Sequence, residues 1–183
     1  MPQRYEVRHE GPAIICGGAP SVFVDLEKAL EIYPQATVLG VNNAAAMVPQ
    51  IDHVWTQHNN LAHEYKANAG RPISVHARAG IMGNDVDYTW QSMVGMKGSS
   101  GVVAAIWAKQ MGFDRVVLAG IPMSQSDAFY TDKYPGKTAD LVFSNPANIQ
   151  HWQRFVRLHK DEGRMEGVSS MSGYTRQVLG APC

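Results

Sequence analysis

Pro12-Ala13-Ile14-Ile15-Cys16-Gly17-Gly18-Ala19-Pro20-Ser21, with Val22 to Ile32 and Ala36 to Val41 behind it, is the stretch on which the fold class turns. The apolar run Pro12 to Cys16 is continuous rather than alternating, which suits a strand covered on both faces. It stops abruptly at two glycines. From Val22 onward the apolar residues Val22, Leu26, Ala29, Leu30 and Tyr33 recur at helical spacing, with Ser21 or Asp25 as the start signal and Pro34 as the stop. Ala36 to Val41 is a second apolar strand, ending in Asn42-Asn43. A strand, a helix and a strand in that order make a parallel pair with a right-handed crossover.

Outward from this unit the pattern repeats. Asp52 to Thr56 and Pro72 to His76 read as two further strands, and residues 77–98, rich in Gly and Met, read as a long loop. Ser100 to Met111 is the best helix, apolar at Val102, Val103, Ile106, Trp107 and Met111 and closed by Gly112. Asp114 to Gly120 is the strongest strand. A polar loop at 124–145 precedes a helix from about Ala147 to Glu162, a last strand at Met165 to Val168 and a short helix at Tyr174 to Leu179. Strands alternating with helices predict an α/β fold: one Rossmann-like domain over residues 1–183, its mostly parallel sheet covered by helices on both faces.

Composition narrows the function classes. Lys+Arg and Asp+Glu are both 16 in 183 residues, so no cationic surplus exists for general nucleic-acid or anionic-membrane binding. Arg154, Arg157, His159 and Lys160 form the one basic cluster, read as a solvated helix face. Two cysteines make no disulfide framework: Cys16 reads as a buried thiol and Cys183 as a frayed tail. No apolar run is long enough to span a bilayer, and no signal-peptide core opens the chain, so a cytoplasmic protein is expected. Trp55, Trp90, Trp107 and Trp152 read as packing residues.

Three stretches carry candidate chemistry. Gly17, Gly18, Ala19 and Ser21 lie where a strand hands over to a helix. Glycine lets a ligand approach the backbone there, and the helix N-terminus favours phosphate. Asn42 and Asn43 stand where a dinucleotide fold would place an acidic residue; an amide reads ribose or base without repelling phosphate. Ser99, Ser100 and Gly101 open the second helix as another anion cradle, although Lys97 precedes the glycine and the stretch is no Walker sequence. Asp85 and Asp87 resemble an Asp-x-Asp motif that shares a divalent ion, Mg²⁺, with a diphosphate. Of the 7 histidines, most read as exposed or capped. His151, with Tyr130 or Tyr134, is the better candidate for proton transfer or phosphate contact, because ligands of open α/β sheets lie beyond strand carboxyl ends.

The ordered set of short motifs is similar to two related families. Gly17-Gly18-Ala19-Pro20-Ser21 resembles the Gly-x-Gly-Pro-Ser turn of bacterial CMP-sialic-acid-dependent sialyltransferases of the lipooligosaccharide type. The same turn occurs in the group of 6-hydroxymethylpterin pyrophosphokinases and motility-accessory-factor-like proteins. Ser99-Ser100-Gly101, Met111-Gly112-Phe113 and Val116 to Ile121 look like the Thr-Ser-Gly, Gly-Tyr and Leu-x-Gly-Ile-Asp segments of the sialyltransferases. Two positions depart from them: Pro122 stands where an Asp follows, and Phe143-Ser144-Asn145 where a general-base His does.

The resemblance implies that Asn42 contacts the nucleotide and that Tyr130 and Tyr134 stabilise the leaving phosphate, with His151 in reserve as base. The function expected is a nucleotide-dependent transferase, a glycosyltransferase using a nucleotide-sugar donor. The alternatives are an Mg²⁺-dependent pyrophosphokinase acting on a small alcohol, or a non-catalytic nucleotide-binding protein. The nucleotide enters as substrate, and a homo-oligomer is left open.

Overall fold

The computed structural model describes residues 2–80, 85–124 and 146–183. Its seven strands are β1 (Pro12–Cys16), β2 (Thr37–Val41), β3 (His53–Thr56), β4 (Ser74–Arg78), β5 (Tyr88–Trp90), β6 (Arg115–Ala119) and β7 (Val168–Ser170). They form one sheet in the order β5-β4-β3-β2-β1-β6-β7, and every pairing is parallel. The helices are α1 (Val22–Ile32), α2 (Ala62–Ala69), α3 (Ser100–Met111), α4 (Pro146–Asp161) and α5 (Gly173–Leu179). The expected α/β architecture is therefore present.

The strand order positions the site. From β1 the chain steps outward through β2, β3, β4 and β5; α3 then carries it back to β6, on the other side of β1. The connections leaving β1 and β6 diverge there, and such a switch point opens a crevice at the carboxyl edge of a parallel sheet.

Each strand buries both faces, as its unbroken apolarity requires. Ile14, Cys16, Val117 and Ala119 pack towards α1 and α2, while Ala13, Ile15, Val116 and Leu118 pack towards α3. Helix α3 is buried from Gly101 to Ala108, and its Trp107 meets Trp55 at 5.8 Å between ring centroids, both fully buried. Gly112 ends it in the left-handed region at φ 108°, where a Cβ would also lie 2.5 Å from the His9 carbonyl oxygen.

Four details differ from expectation. Strand β5 lies inside the stretch expected to be loop: Tyr88-Thr89-Trp90 are good strand formers, but three residues are too few to display a period. Helix α2 had no predicted counterpart, having little amphipathic pattern. Strand β4 runs on to Arg78 because Ala77 and Arg78 pair with Thr89 and Trp90. Strand β7 starts at Val168, since Met165 is spent in a turn whose carbonyl accepts from the Val168 N–H at 3.0 Å.

Beyond the strands, Gln3 lies along β5, its N–H donating to Asp87 O at 2.8 Å and its carbonyl accepting from Thr89 N at 3.3 Å. Gly180 does the same for β7, accepting from Ser170 N at 3.0 Å. Cys183 is tied down rather than frayed: its carbonyl accepts from Tyr33 Oη at 2.6 Å. Among the described residues no helix is long and apolar enough to cross a membrane.

Candidate functional site

Two turns meet over one side chain at the switch point. A Cβ built on Gly17 would lie 2.4 Å from Ile121 Cγ1 and 2.5 Å from the Gly120 carbonyl oxygen; one built on Gly101 would lie 2.8 Å from Ile121 Cγ2. Ile121 is thus wedged between the Gly17–Ser21 turn, which opens α1, and the Ser99–Gly101 turn, which opens α3. The two helices flank opposite faces of the sheet and both start at its carboxyl edge.

The backbone donors divide into two groups. Gly17 N donates to Ala119 O at 2.8 Å, Ala19 N to Gly120 O at 3.1 Å and Val22 N to Ala19 O at 3.0 Å, so the first turn is fastened to the end of β6. In the second turn Ser99 caps α3, with Oγ accepting from Val102 N at 3.4 Å and its carbonyl from Val102 and Val103. Among the described residues the amides of Gly18, Ser21, Ser100 and Gly101 have no partner. Amides free at two adjacent helix starts are donors for an anion.

Asp25 holds this edge together from inside. Its carboxylate is buried, and Oδ2 accepts from Gly120 N at 2.9 Å, Ser21 Oγ at 3.0 Å and Ser172 Oγ at 2.6 Å. Ser21 therefore spends its hydroxyl on Asp25 rather than capping α1. Behind it lies Cys16, whose thiol burial, with the Asp25 charge adding to it, pushes up to about 12. Such a thiol is no nucleophile.

The ends of β2 and β3 form the next part of the edge. Asn42 sits in the left-handed region at φ 54°, uncommon outside glycine and best tolerated by Asn and Asp. Its Oδ1 accepts from Thr56 Oγ1 at 2.9 Å. Asn43 points the other way: it is fully buried and its Oδ1 accepts from Asn68 Nδ2 on α2 at 3.0 Å. Of the two asparagines, only Asn42 belongs to the edge.

The second turn is braced from two sides. His159, buried on α4 and not on the solvated face expected for it, hydrogen-bonds Lys97 O at 2.7 Å through Nε2. Gln57 Nε2 donates to Gly98 O at 3.3 Å. Phe155 packs against Gly98, a Cβ there standing 3.3 Å from Phe155 Cβ, and the exposed His151 ring lies edge-on to Phe155 at 4.8 Å. His151 is thereby one aromatic ring removed from Gly98, which leads into the Ser99–Gly101 turn.

This architecture can be set beside known structures. Cst-I, a monofunctional α-2,3-sialyltransferase from Campylobacter jejuni, superposes with a TM-score of 0.63 at 13% identity, over 100% of this chain and 84% of that one. A point mutant of the α-2,3/8-sialyltransferase CstII superposes with a TM-score of 0.52 at 11% identity, over 94% of this chain and 89% of that one. The fold is sialyltransferase-like. No family model matches the chain, and no curated protein matches its sequence.

Within this sialyltransferase-like fold the remaining candidates are dispersed. Asp87 does not reach the carboxyl edge. Asp87 precedes β5, alongside the first residues of β4 at the opposite edge of the sheet, where Lys66 Nζ takes Oδ1 at 2.8 Å and Val75 N takes Oδ2 at 2.7 Å. Asp87 is explained by this local work; among the described residues no group of three or more acidic, His or Cys ligands gathers. Tyr130 and Tyr134 lie outside the described residues. Pro122, where the sialyltransferases of the resemblance carry Asp, is packed by Gly173 and accepts from Thr175 N at 3.2 Å, so it anchors α5.

Thr56, Ile121 and the bracing by Gln57 and His159 belong to no motif in the sequence. One signal was there: Gly17, Asn42 and Thr56 fall at the carboxyl ends of consecutive parallel strands. Most histidines are expected to be exposed or capped; His76 is instead fully buried. Trp90 Nε1 donates to His76 Nδ1 at 3.2 Å, and His76 Nε2 lies 2.9 Å from His53 Nδ1. Burial, chiefly, and then the neighbouring His53 and His9 hold the His76 imidazole well below its usual range.

Proposed function

We propose that the chain is a nucleotide-dependent transferase: a glycosyltransferase that takes a sugar from a nucleotide-sugar donor. One observation carries this reading, the packing of Gly17 and Gly101 on the same Ile121 side chain. It sets two helix starts with unused amides side by side at the switch point, an arrangement that supports binding of a diester or diphosphate by fixed donors. The sialyltransferase-like fold supports the same reading.

In this scheme Gly18, Ser100 and Gly101 bind the phosphate, with Ser21 beside them, and Asn42 binds ribose or base. The acceptor hydroxyl oxygen attacks the anomeric carbon. The bond to the phosphate oxygen breaks with its electron pair leaving on the nucleotide, and a base accepts the hydroxyl proton. His151 is the base proposed, and Tyr130 and Tyr134 are proposed to donate hydrogen bonds to the departing phosphate. The placement of Asp87 gives the pyrophosphokinase alternative no support.

A thermal-shift panel of CMP, UDP, GDP and ATP, each with and without Mg²⁺, tests the proposal. A ligand at a hundred times its Kd stabilises the native state by about 2.7 kcal/mol. A rise with CMP alone, without Mg²⁺, is the expected outcome. A rise confined to ATP with Mg²⁺, or no rise with any of the four, overturns it.

A further inference from the structure

Thr56 is fully buried at the end of β3 and stands beside Asn42, because the β2–β3 register pairs Gly40 with Val54 and Val41 with Trp55. A threonine hydroxyl has one proton to give and lone pairs to receive. The His58 N–H donates into Thr56 Oγ1 at 2.8 Å, and the hydroxyl proton is used on Asn42 Oδ1 at 2.9 Å. Were the Asn42 amide turned over, Nδ2 would donate to the same oxygen and the buried hydroxyl proton would lose its acceptor. Burial makes that loss costly. The two bonds together therefore choose one amide orientation, in which Oδ1 is consumed and Nδ2 is the spare donor; among the described residues no hydrogen bond uses Nδ2.

We infer that Thr56 is a positioning residue that fixes the Asn42 amide so that this edge presents a donor, selecting ligand groups that accept hydrogen bonds. The inference rests on the nucleotide reading above for the identity of the ligand, and on Thr56 and Asn42 alone for the orientation. The φ of Asn42, 54°, lies in a region that Asn tolerates better than most residues, so this position suits an asparagine on backbone grounds as well. Acceptors of the right kind on a nucleotide are the ribose oxygens, the pyrimidine carbonyl and the phosphate.

The test has two arms. Without ligand, the ¹⁵N–¹H resonances of the Asn42 Nδ2 amide are expected to move in Thr56→Val and to return in Thr56→Ser, which restores the hydroxyl. Resonances that stay put in Thr56→Val overturn the positioning role whatever any ligand does. With CMP as probe in calorimetric titration, Thr56→Val should weaken binding about fivefold to tenfold, the size of one lost hydrogen bond, and Thr56→Ser should recover it. In an Asn42→Ala background Thr56→Val should cost nothing further, whereas a merely structural role would cost the same again. Asn42→Asp keeps an acceptor for Thr56 and removes the donor, so it should lose CMP more severely than Thr56→Val does. CMP affinity unchanged in Thr56→Val overturns the inference. A wild-type protein that binds none of CMP, UDP, GDP and ATP overturns the nucleotide reading, while the resonance arm still decides Thr56.

Discussion

Trp90 Nε1 donates its only proton to His76 Nδ1 at 3.2 Å, and that one bond fixes the protonation state of a buried imidazole. With Nδ1 accepting, the ring proton of neutral His76 sits on Nε2 and is directed at His53 Nδ1, 2.9 Å away. An imidazolium at His76 would set its Nδ1 proton against the indole proton.

This arrangement predicts loss of stability in acid. The folded state keeps His76 neutral below its usual value of 6.5, and burial lowers His53 and His9 as well, with Asp52 opposing at His53. Above about pH 6.5 both states are neutral there and nothing is gained or lost. Below it the unfolded chain binds protons that the native fold refuses, so stability falls with pH by about 1.4 kcal/mol per unit for His76 alone. Urea titrations from pH 7.5 to 5 should show this slope. His76→Phe should flatten it while lowering stability at pH 7.5; an unchanged slope in that variant would exclude His76 as its source.

The wedge at Ile121 gives an asymmetric pair of substitutions. Gly17→Ala meets a carbonyl oxygen as well as the isoleucine, and backbone cannot step aside; it should cost about 3 kcal/mol. Gly101→Ala meets only the Ile121 side chain, and its helical gain offsets part of the clash, so about 1 kcal/mol is expected. Adding Ile121→Ala should reduce the penalty of Gly101→Ala and leave that of Gly17→Ala largely in place. Denaturant unfolding of Gly17→Ala, Gly101→Ala, Ile121→Ala and the two double variants measures the coupling.

Asp25 should matter more to folding than its single side chain suggests. Asp25→Ala strips an acceptor from Gly120 N, Ser21 Oγ and Ser172 Oγ at once and leaves donors buried. A cost of about 3 to 5 kcal/mol is expected from the orphaned groups. Hydrogen exchange should localise the loosening to the starts of α1 and α5. Uniform exchange, or a cost below 1 kcal/mol, would mean that the network contributes little.

Asp87 should behave as a structural group. Asp87→Ala removes the acceptor of the Val75 N–H and the partner of Lys66, for an expected loss of about 1 to 3 kcal/mol in urea unfolding. CMP affinity should be the same in this variant as in wild type, and the same with EDTA present. A fall of tenfold or more on chelation would return the carboxylate to the ligand site.

The strands that decided the architecture were legible because burial on both faces leaves a signal in a single run: Ile14-Ile15-Cys16 and Val116 to Ala119 could only be covered strands. The glycine turn after β1 and the serine turn before α3 were legible as helix starts. That both helix starts fall at one carboxyl edge follows from a parallel sheet; what escaped was Ile121 between them, an ordinary apolar residue outside both turns. The place of Asp87 was hidden for the converse reason: spacing alone does not say at which end of the sheet a residue falls, and β5, which decides it, is only Tyr88 to Trp90. Thr56 escaped because its role lies in the direction of one hydroxyl proton, which register with Asn42 sets and local sequence does not. The burial of His76 was hidden because it stands last in the expected strand, and its partners Trp90 and His53 come from elsewhere in the chain.

Gln3 on β5 and Gly180 on β7 carry a consequence for handling the protein. An outermost strand with bare amides and carbonyls invites a second molecule to add its own strand, the first step towards ordered aggregates. Here Asp87 O and Thr89 N on one margin, and Ser170 N on the other, are already engaged by the chain itself. Shortening the protein past either residue, or grafting a rigid tag there, would unmask a template for self-assembly while leaving every residue of the crevice in place.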